Sequence, residues 1–88
     1  STYYPFGIAG DNLTSNQYMV NQWETTTPNS TAVRLTEART NGRDGLDIYV
    51  DIHSSTNDCR YIGISLHNYL DRDYAMPLIT QLVNGITW

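Results

Sequence analysis

The sequence predicts an α+β fold: a small antiparallel sheet of three to five strands built on a central meander, with a C-terminal amphipathic helix packed on one face. Three observations carry this. Residues 46–53 alternate strictly between apolar and polar, the period of a half-buried strand. After a turn the alternation resumes over residues 60–66. Beyond it, Ala75, Leu78, Ile79, Leu82, Val83 and Ile86 recur at helical spacing, an apolar stripe suited to a sheet.

Taken in order, residues 1–12 hold Tyr3, Tyr4, Pro5, Phe6, Gly7 and Gly10 and read as an irregular or strand-like arm with aromatic anchors. Residues 13–24 admit two readings. Thr14 or Ser15 can cap a short helix, but Leu13, Tyr18, Val20 and Trp23 share no clean helical face, and Tyr18–Glu24 also extends as a strand. Residues 25–31, Thr-Thr-Thr-Pro-Asn-Ser-Thr, are a loop by composition.

The stretch Ala32–Thr40 is β-biased, and Asn41-Gly42-Arg43-Asp44-Gly45 contains two turn dipeptides. In the next strand Leu46, Ile48, Val50 and Ile52 face one way, while Asp47, Tyr49, Asp51 and His53 face the other. Residues 54–58 turn. In the strand after it, Ile62, Ile64 and Leu66 lie opposite Tyr61, Ser65 and His67. Hairpin register follows from energetics. An even loop from Thr40 to Gly45 pairs Arg39 with Leu46, Leu35 with Val50 and Val33 with Ile52. An odd loop gains an Arg39–Asp47 pair but sets Leu35 and Val33 against Asp51 and His53. Burying an apolar side chain is worth roughly 1.5–3 kcal/mol, an exposed ion pair about 0–1 kcal/mol, so the even loop is expected.

Asp71 or Asp73 is expected to cap the helix, Pro77 to fall in its first turn, and Gly85 to stop it. Trp88 is expected to fold back on the core. The helix then covers the Leu46/Ile48/Val50/Ile52 face. The other face is polar and aromatic, and open unless the N-terminal arm or a partner covers it.

Totals bound the function. Eighty-eight residues, taken as one domain over 1–88, bury only roughly 60–65% of the unfolded surface, so a deep substrate cavity would consume much of the core. The net charge is −4 and the pI about 4.7. Arg34, Arg39, Arg43, Arg60 and Arg72 are scattered singly, without the basic stripe that nucleic acid or an anionic membrane requires. No apolar run reaches the roughly 20 residues of a membrane span. The chain is lysine-free, which chance or lineage bias explains more simply than the alternative, avoidance of lysine modification by a host-entering toxin. Cys59 stands alone, which excludes an internal disulfide and a cysteine-based zinc site and leaves an inert thiol or, as the alternative, an intermolecular disulfide. Asn12-Leu13-Thr14 and Asn29-Ser30-Thr31 are glycosylation sequons, so Asn12 and Asn29 are acceptors if the chain is secreted. Secreted, viral and cytosolic settings all stay open.

The candidate binding set is the polar face: Asp47, Tyr49, Asp51, His53, Tyr61, Ser65 and His67. Tyrosines give stacking surface and carboxylates and imidazoles give directional hydrogen bonds, a mixture suited to a protein or glycan partner. The first reading is therefore a non-enzymatic interaction module, in a small microbial toxin or a viral protein. An alternative is a small hydrolase-like enzyme or toxin subunit using Asp51, His53 and His67. Those are metal-ligand types, but they lack a ligand spacing, so no metal or other cofactor is expected, and no catalytic residue is assigned. No nucleophile elbow or phosphate loop is present. A third reading is a structural subunit that self-assembles, as a homo-oligomer, through sheet edges or Cys59. The order of elements is similar to that of many compact α/β sandwiches, small secreted microbial toxins among them. The lack of cysteine pairs departs from most such toxins.

Overall fold

The computed structural model describes residues 13–55, 61–70 and 72–88. Four strands run in sequence order across one antiparallel sheet: β1 (Gln17–Thr26), β2 (Thr31–Thr40), β3 (Leu46–Ser54) and β4 (Tyr61–Tyr69). A single helix, α1 (Arg72–Asn84), follows. The expected meander and C-terminal helix are both present. No helix among the described residues is long and apolar enough to cross a membrane.

The register of the β2–β3 hairpin is the one that apolar burial favours: Arg39 pairs with Leu46, Leu35 with Val50 and Val33 with Ile52. Its turn accepts Gly42 at φ 85°, with Arg43 N–H donating to the Thr40 carbonyl at 3.1 Å. This is the geometry of a type II turn, which favours glycine at that position. Residues 13–24 resolve in favour of the strand, and β1 runs on through Thr25 and Thr26. The loop expected over 25–31 therefore shrinks to residues 27–30, because Thr25 and Thr26 pair with Val33 and Ala32. Ser30 closes it in the left-handed region at φ 63°, the position that follows a type I turn in longer hairpin loops.

Val33 and Leu35 of β2, Ile48, Val50 and Ile52 of β3, and Ala75, Ile79 and Val83 of α1 form the core. Trp23, Ile64, Leu66 and Trp88 pack around it. Trp88 folds back as expected, its indole N–H donating to Thr31 Oγ1 at 2.8 Å. The helical stripe is split, however. Ala75, Ile79 and Val83 are buried, but Leu78 and Leu82 stand 49% and 51% exposed, because one helix is narrower than four strands and its flank overhangs β4. Pro77 also departs from expectation. It is the sixth helical residue, in the second turn, where it removes the bond to the Asp73 carbonyl at a cost of about 3 kcal/mol. Burial of three side chains on the same helix, at roughly 1.5–3 kcal/mol for the larger ones, offsets that. Asp73 lies inside the first turn rather than capping it; Asp71 lies outside the described residues. The helix ends at Gly85, as expected, and Asn29 clamps that end. Its amide donates to the carbonyls of Ile86 at 2.8 Å and Asn84 at 3.4 Å.

Candidate functional site

The polar face is built by β2 and β3 at its centre and by β1 and β4 at its rims. Tyr49 opposes Ser65, Asp51 opposes Gly63 and His53 opposes Tyr61, so the alternation places the expected residues on one face. It does not leave them open. Tyr49 is 8% exposed, Asp47 1%, and Asp51 and His53 0%. The expectation of an open face holds only along the rim, where Ser65 and His67 are exposed. Alternation reports which way a side chain points, and these polar side chains point into one another. Gln17, Gln22 and Tyr61 of the flanking strands reach Asp47, Thr36 and Asp51 of the inner ones.

The inner end is an ion-pair cluster. Arg34 donates to Asp51 Oδ2 at 3.0 Å, and the Tyr61 hydroxyl donates to Asp51 Oδ1. His53 Nδ1–H donates to the Ser54 carbonyl at 2.7 Å. A buried carboxylate of this kind is sustained only by a charged partner and further hydrogen bonds.

The outer end is organised by a bulge. On β3, Leu46 opposes Tyr69 and Ile48 opposes Leu66, so Asp47 faces two residues of β4, His67 and Asn68. A bulge leaves an extra residue out of the ladder. Asn68 sits there at φ 58°, and its N–H donates to Asp47 Oδ1 at 2.9 Å. Its side-chain oxygen accepts the Gly45 N–H at 3.2 Å. Gly45 suits this approach, since a Cβ there would lie 2.5 Å from that oxygen. Asp47 Oδ2 accepts from the Gln17 amide at 2.9 Å and from the Thr40 hydroxyl. Gln17 also donates to the Tyr49 hydroxyl at 2.6 Å.

His67 stands over this group, 58% of its side chain exposed, with Nδ1 3.7 Å from Asp47 Oδ1. Its ring meets Tyr49 edge-on, centroids 5.9 Å apart at 81°. Burial acts to raise the Asp47 pKa, but the bonds from Thr40, the Asn68 N–H and Gln17, with the charge of His67, prevail and hold the carboxyl below its ordinary value. Thr14, Arg43 and His67 rim a shallow concavity of about 230 Å³ above it.

The structure thus divides the seven predicted residues. Asp47, Tyr49 and His67 meet at the outer end, Asp51, His53 and Tyr61 at the inner end, and Ser65 lies between on the β4 rim. Asp51, His53 and His67 do not converge. His53 opposes Tyr61, six residues along β4 from His67, a separation of roughly 20 Å. No cluster of three or more metal-ligating side chains occurs among the described residues. Gln17, Thr40, Arg43 and Asn68 join the site without a sequence signal of their own, apart from the turn Asn41-Gly42 beside Thr40 and Arg43. Asn29 lies in an exposed loop, but its amide nitrogen is engaged with the helix end. Asn12 and Cys59, and the N-terminal arm, lie outside the described residues. Comparison of the chain with protein-family models, with curated proteins and with solved structures finds no match.

Proposed function

We propose that this chain is a non-enzymatic interaction module that engages a protein partner through the outer end of its polar face. The observation that carries this is the fixed state of Asp47. A carboxylate held ionised by three hydrogen bonds is a poor proton shuttle near neutral pH, where general acid–base catalysis wants a pKa close to the working pH. It is well suited to hold a rim in place. That rim offers the Arg43 guanidinium, permanently charged, and the exposed His67 ring, both matched to a carboxylate on a partner.

A glycan fits less well. Sugar recognition wants an open aromatic face, and here the Tyr49 ring is buried and already in a T-shaped contact with His67 while the Tyr61 hydroxyl is committed to Asp51. Nothing in the geometry favours the hydrolase reading, since its three side chains lie at both ends of the sheet.

The test is an NMR titration of the amide spectrum with two probes, N-acetyl-glutamate amide and methyl glucoside. The expected result is movement of the Arg43, His67 and Asn68 signals with the acidic probe, lost on Arg43→Ala. Movement of Tyr49, Tyr61 and Ser65 with the glucoside would make this a glycan site instead. Silence at the outer end with both probes would end the proposal.

A further inference from the structure

Exposed apolar side chains occur at both edges of the sheet: Tyr18, Met19 and Val20 on β1, and a second group along β4 and the helix flank beside it. Ile62 is 39% exposed, Leu78 49%, Leu82 51% and Leu70 80%. Ile64, Leu66, Leu78 and Leu82 line a groove between β4 and the flank of α1. Beside this groove runs β4, an edge strand among the described residues, nine residues long, Tyr-Ile-Gly-Ile-Ser-Leu-His-Asn-Tyr, with no Asp, Glu, Lys, Arg or Pro. Edge strands are ordinarily blunted by charge, proline, bulges or short length. Until the bulge at His67, β4 has none of these.

We infer that β4 is a self-association edge, at which two copies of this chain pair antiparallel about a two-fold axis and continue the sheet from four strands to eight. Three features select a second copy as the occupant. First, the strand is self-complementary in the antiparallel sense. With Ile64 on the axis, Ile62 of each copy faces Leu66 of the other on the helix side. Gly63 faces Ser65 on the opposite side, where small side chains permit close approach. An isologous interface needs this kind of reciprocity.

Second, each chain carries a net charge of −4, so two copies repel wherever their charged surfaces meet. The strip from Tyr61 to Leu70 carries no carboxylate, so this approach costs little. Third, the footprint suits a weak dimer. With Ile64 on the axis the pairing runs from Tyr61 to His67, seven residues or about 23 Å, and strand plus overlying helix present roughly 20 Å of depth, on the order of 450 Å² per copy. That is the size of a weak, transient interface. Leu78 and Leu82 meet their counterparts above the strand pair and close the groove of both copies. The expected association is modest, roughly micromolar.

The test is sedimentation velocity over a concentration series, with reductant present so that Cys59 cannot supply a bridge. The wild-type chain is expected to move from its 10.0 kDa monomer to twice that mass as concentration rises. Ile62→Lys and Leu82→Lys each alter an exposed side chain, one on the strand and one on the helix, so misfolding of either leaves the other as a probe. Both are expected to weaken association by about tenfold or more with unchanged circular dichroism. Val20→Lys, on the opposite edge, is expected to leave it intact, and so is His67→Ala, which separates this interface from the outer-end site. In amide exchange, alternate β4 residues gain protection as concentration rises, and β1 residues do not. A wild-type chain that stays at 10.0 kDa throughout overturns the inference. So does a dimer that survives both lysine variants.

Discussion

Asp47 and Asp51 lie four residues apart on one strand and one face, and the molecule uses them differently. Asp51 meets a permanent cation, Arg34, at 3.0 Å, with both side chains withdrawn from water. Asp47 is as deeply buried but meets neutral donors, an amide, a hydroxyl and a backbone N–H, with an exposed histidine above. At the inner end the carboxylate is held by a permanent charge, and the pair acts as an anchor. The outer end is closed by dipoles, and a rim of solvated side chains remains free to meet something else. Burial alone therefore does not mark function on this face; what matters is whether the group above a buried carboxylate is itself buried.

The comparison breaks most visibly at the inner end. Asp51→Asn removes the charge opposite a buried guanidinium, and loss of one member of such a pair costs about 3–5 kcal/mol. Urea unfolding is expected to show that loss, a large part of the stability of a domain this size. Near wild-type stability would mean the pair anchors nothing.

Asp47→Asn is the sharper test. It keeps the shape but puts an NH2 in place of one carboxylate oxygen, so that a donor faces either Gln17 and Thr40 or the Asn68 N–H, at an expected cost of about 1–3 kcal/mol at neutral pH. The pH dependence separates it from a merely steric effect. The Asp47 carboxyl is held below its ordinary value in the folded chain, against about 3.9 when unfolded. Its contribution is therefore complete above the unfolded value and lost as the pH falls through the lowered folded one. The wild type is expected to lose stability in acid over that window, and Asp47→Asn to lose less there. Parallel stability curves for the two proteins would show that Asp47 is not held ionised by the fold.

Much of this architecture is legible in the sequence because it is local. The alternation of Leu46–His53 marks β3 without reference to any other element, and the register of β2 follows once Leu35 and Val33 must be buried. What is not legible is set by contacts between distant residues. The bulge at His67 and Asn68 depends on Asp47 accepting an N–H across 21 positions and on Gly45 leaving room for Asn68. Periodicity carries no trace of either. The clamp of Asn29 on the helix end spans 57 residues and reads in sequence only as a loop asparagine. Alternation also places Asp51 and His53 on the polar face without revealing that the face is sealed there, since a polar residue aimed at a partner and one aimed at water look alike. Pro77 misleads for a similar reason: it signals a helix start, but packing of Ala75, Ile79 and Val83 carries the helix through it.

The smallest effect on stability, and the most informative about function, is expected from His67→Ala. The side chain is more than half exposed and its Nδ1 stands 3.7 Å from the carboxylate, too far for a hydrogen bond and within the range where exposed charge pairs contribute about 0–1 kcal/mol. Urea unfolding is therefore expected to move by less than about 0.5 kcal/mol, as for most surface substitutions. The same substitution removes one of the two side chains at the rim that face a partner carboxylate, so the shifts produced by N-acetyl-glutamate amide at Arg43 and Asn68 are expected to fall away. A stable His67→Ala protein that still responds to the probe would assign recognition to Arg43 alone. A protein that loses several kcal/mol would instead make His67 part of the scaffold, and the distinction between the two ends of the face would disappear.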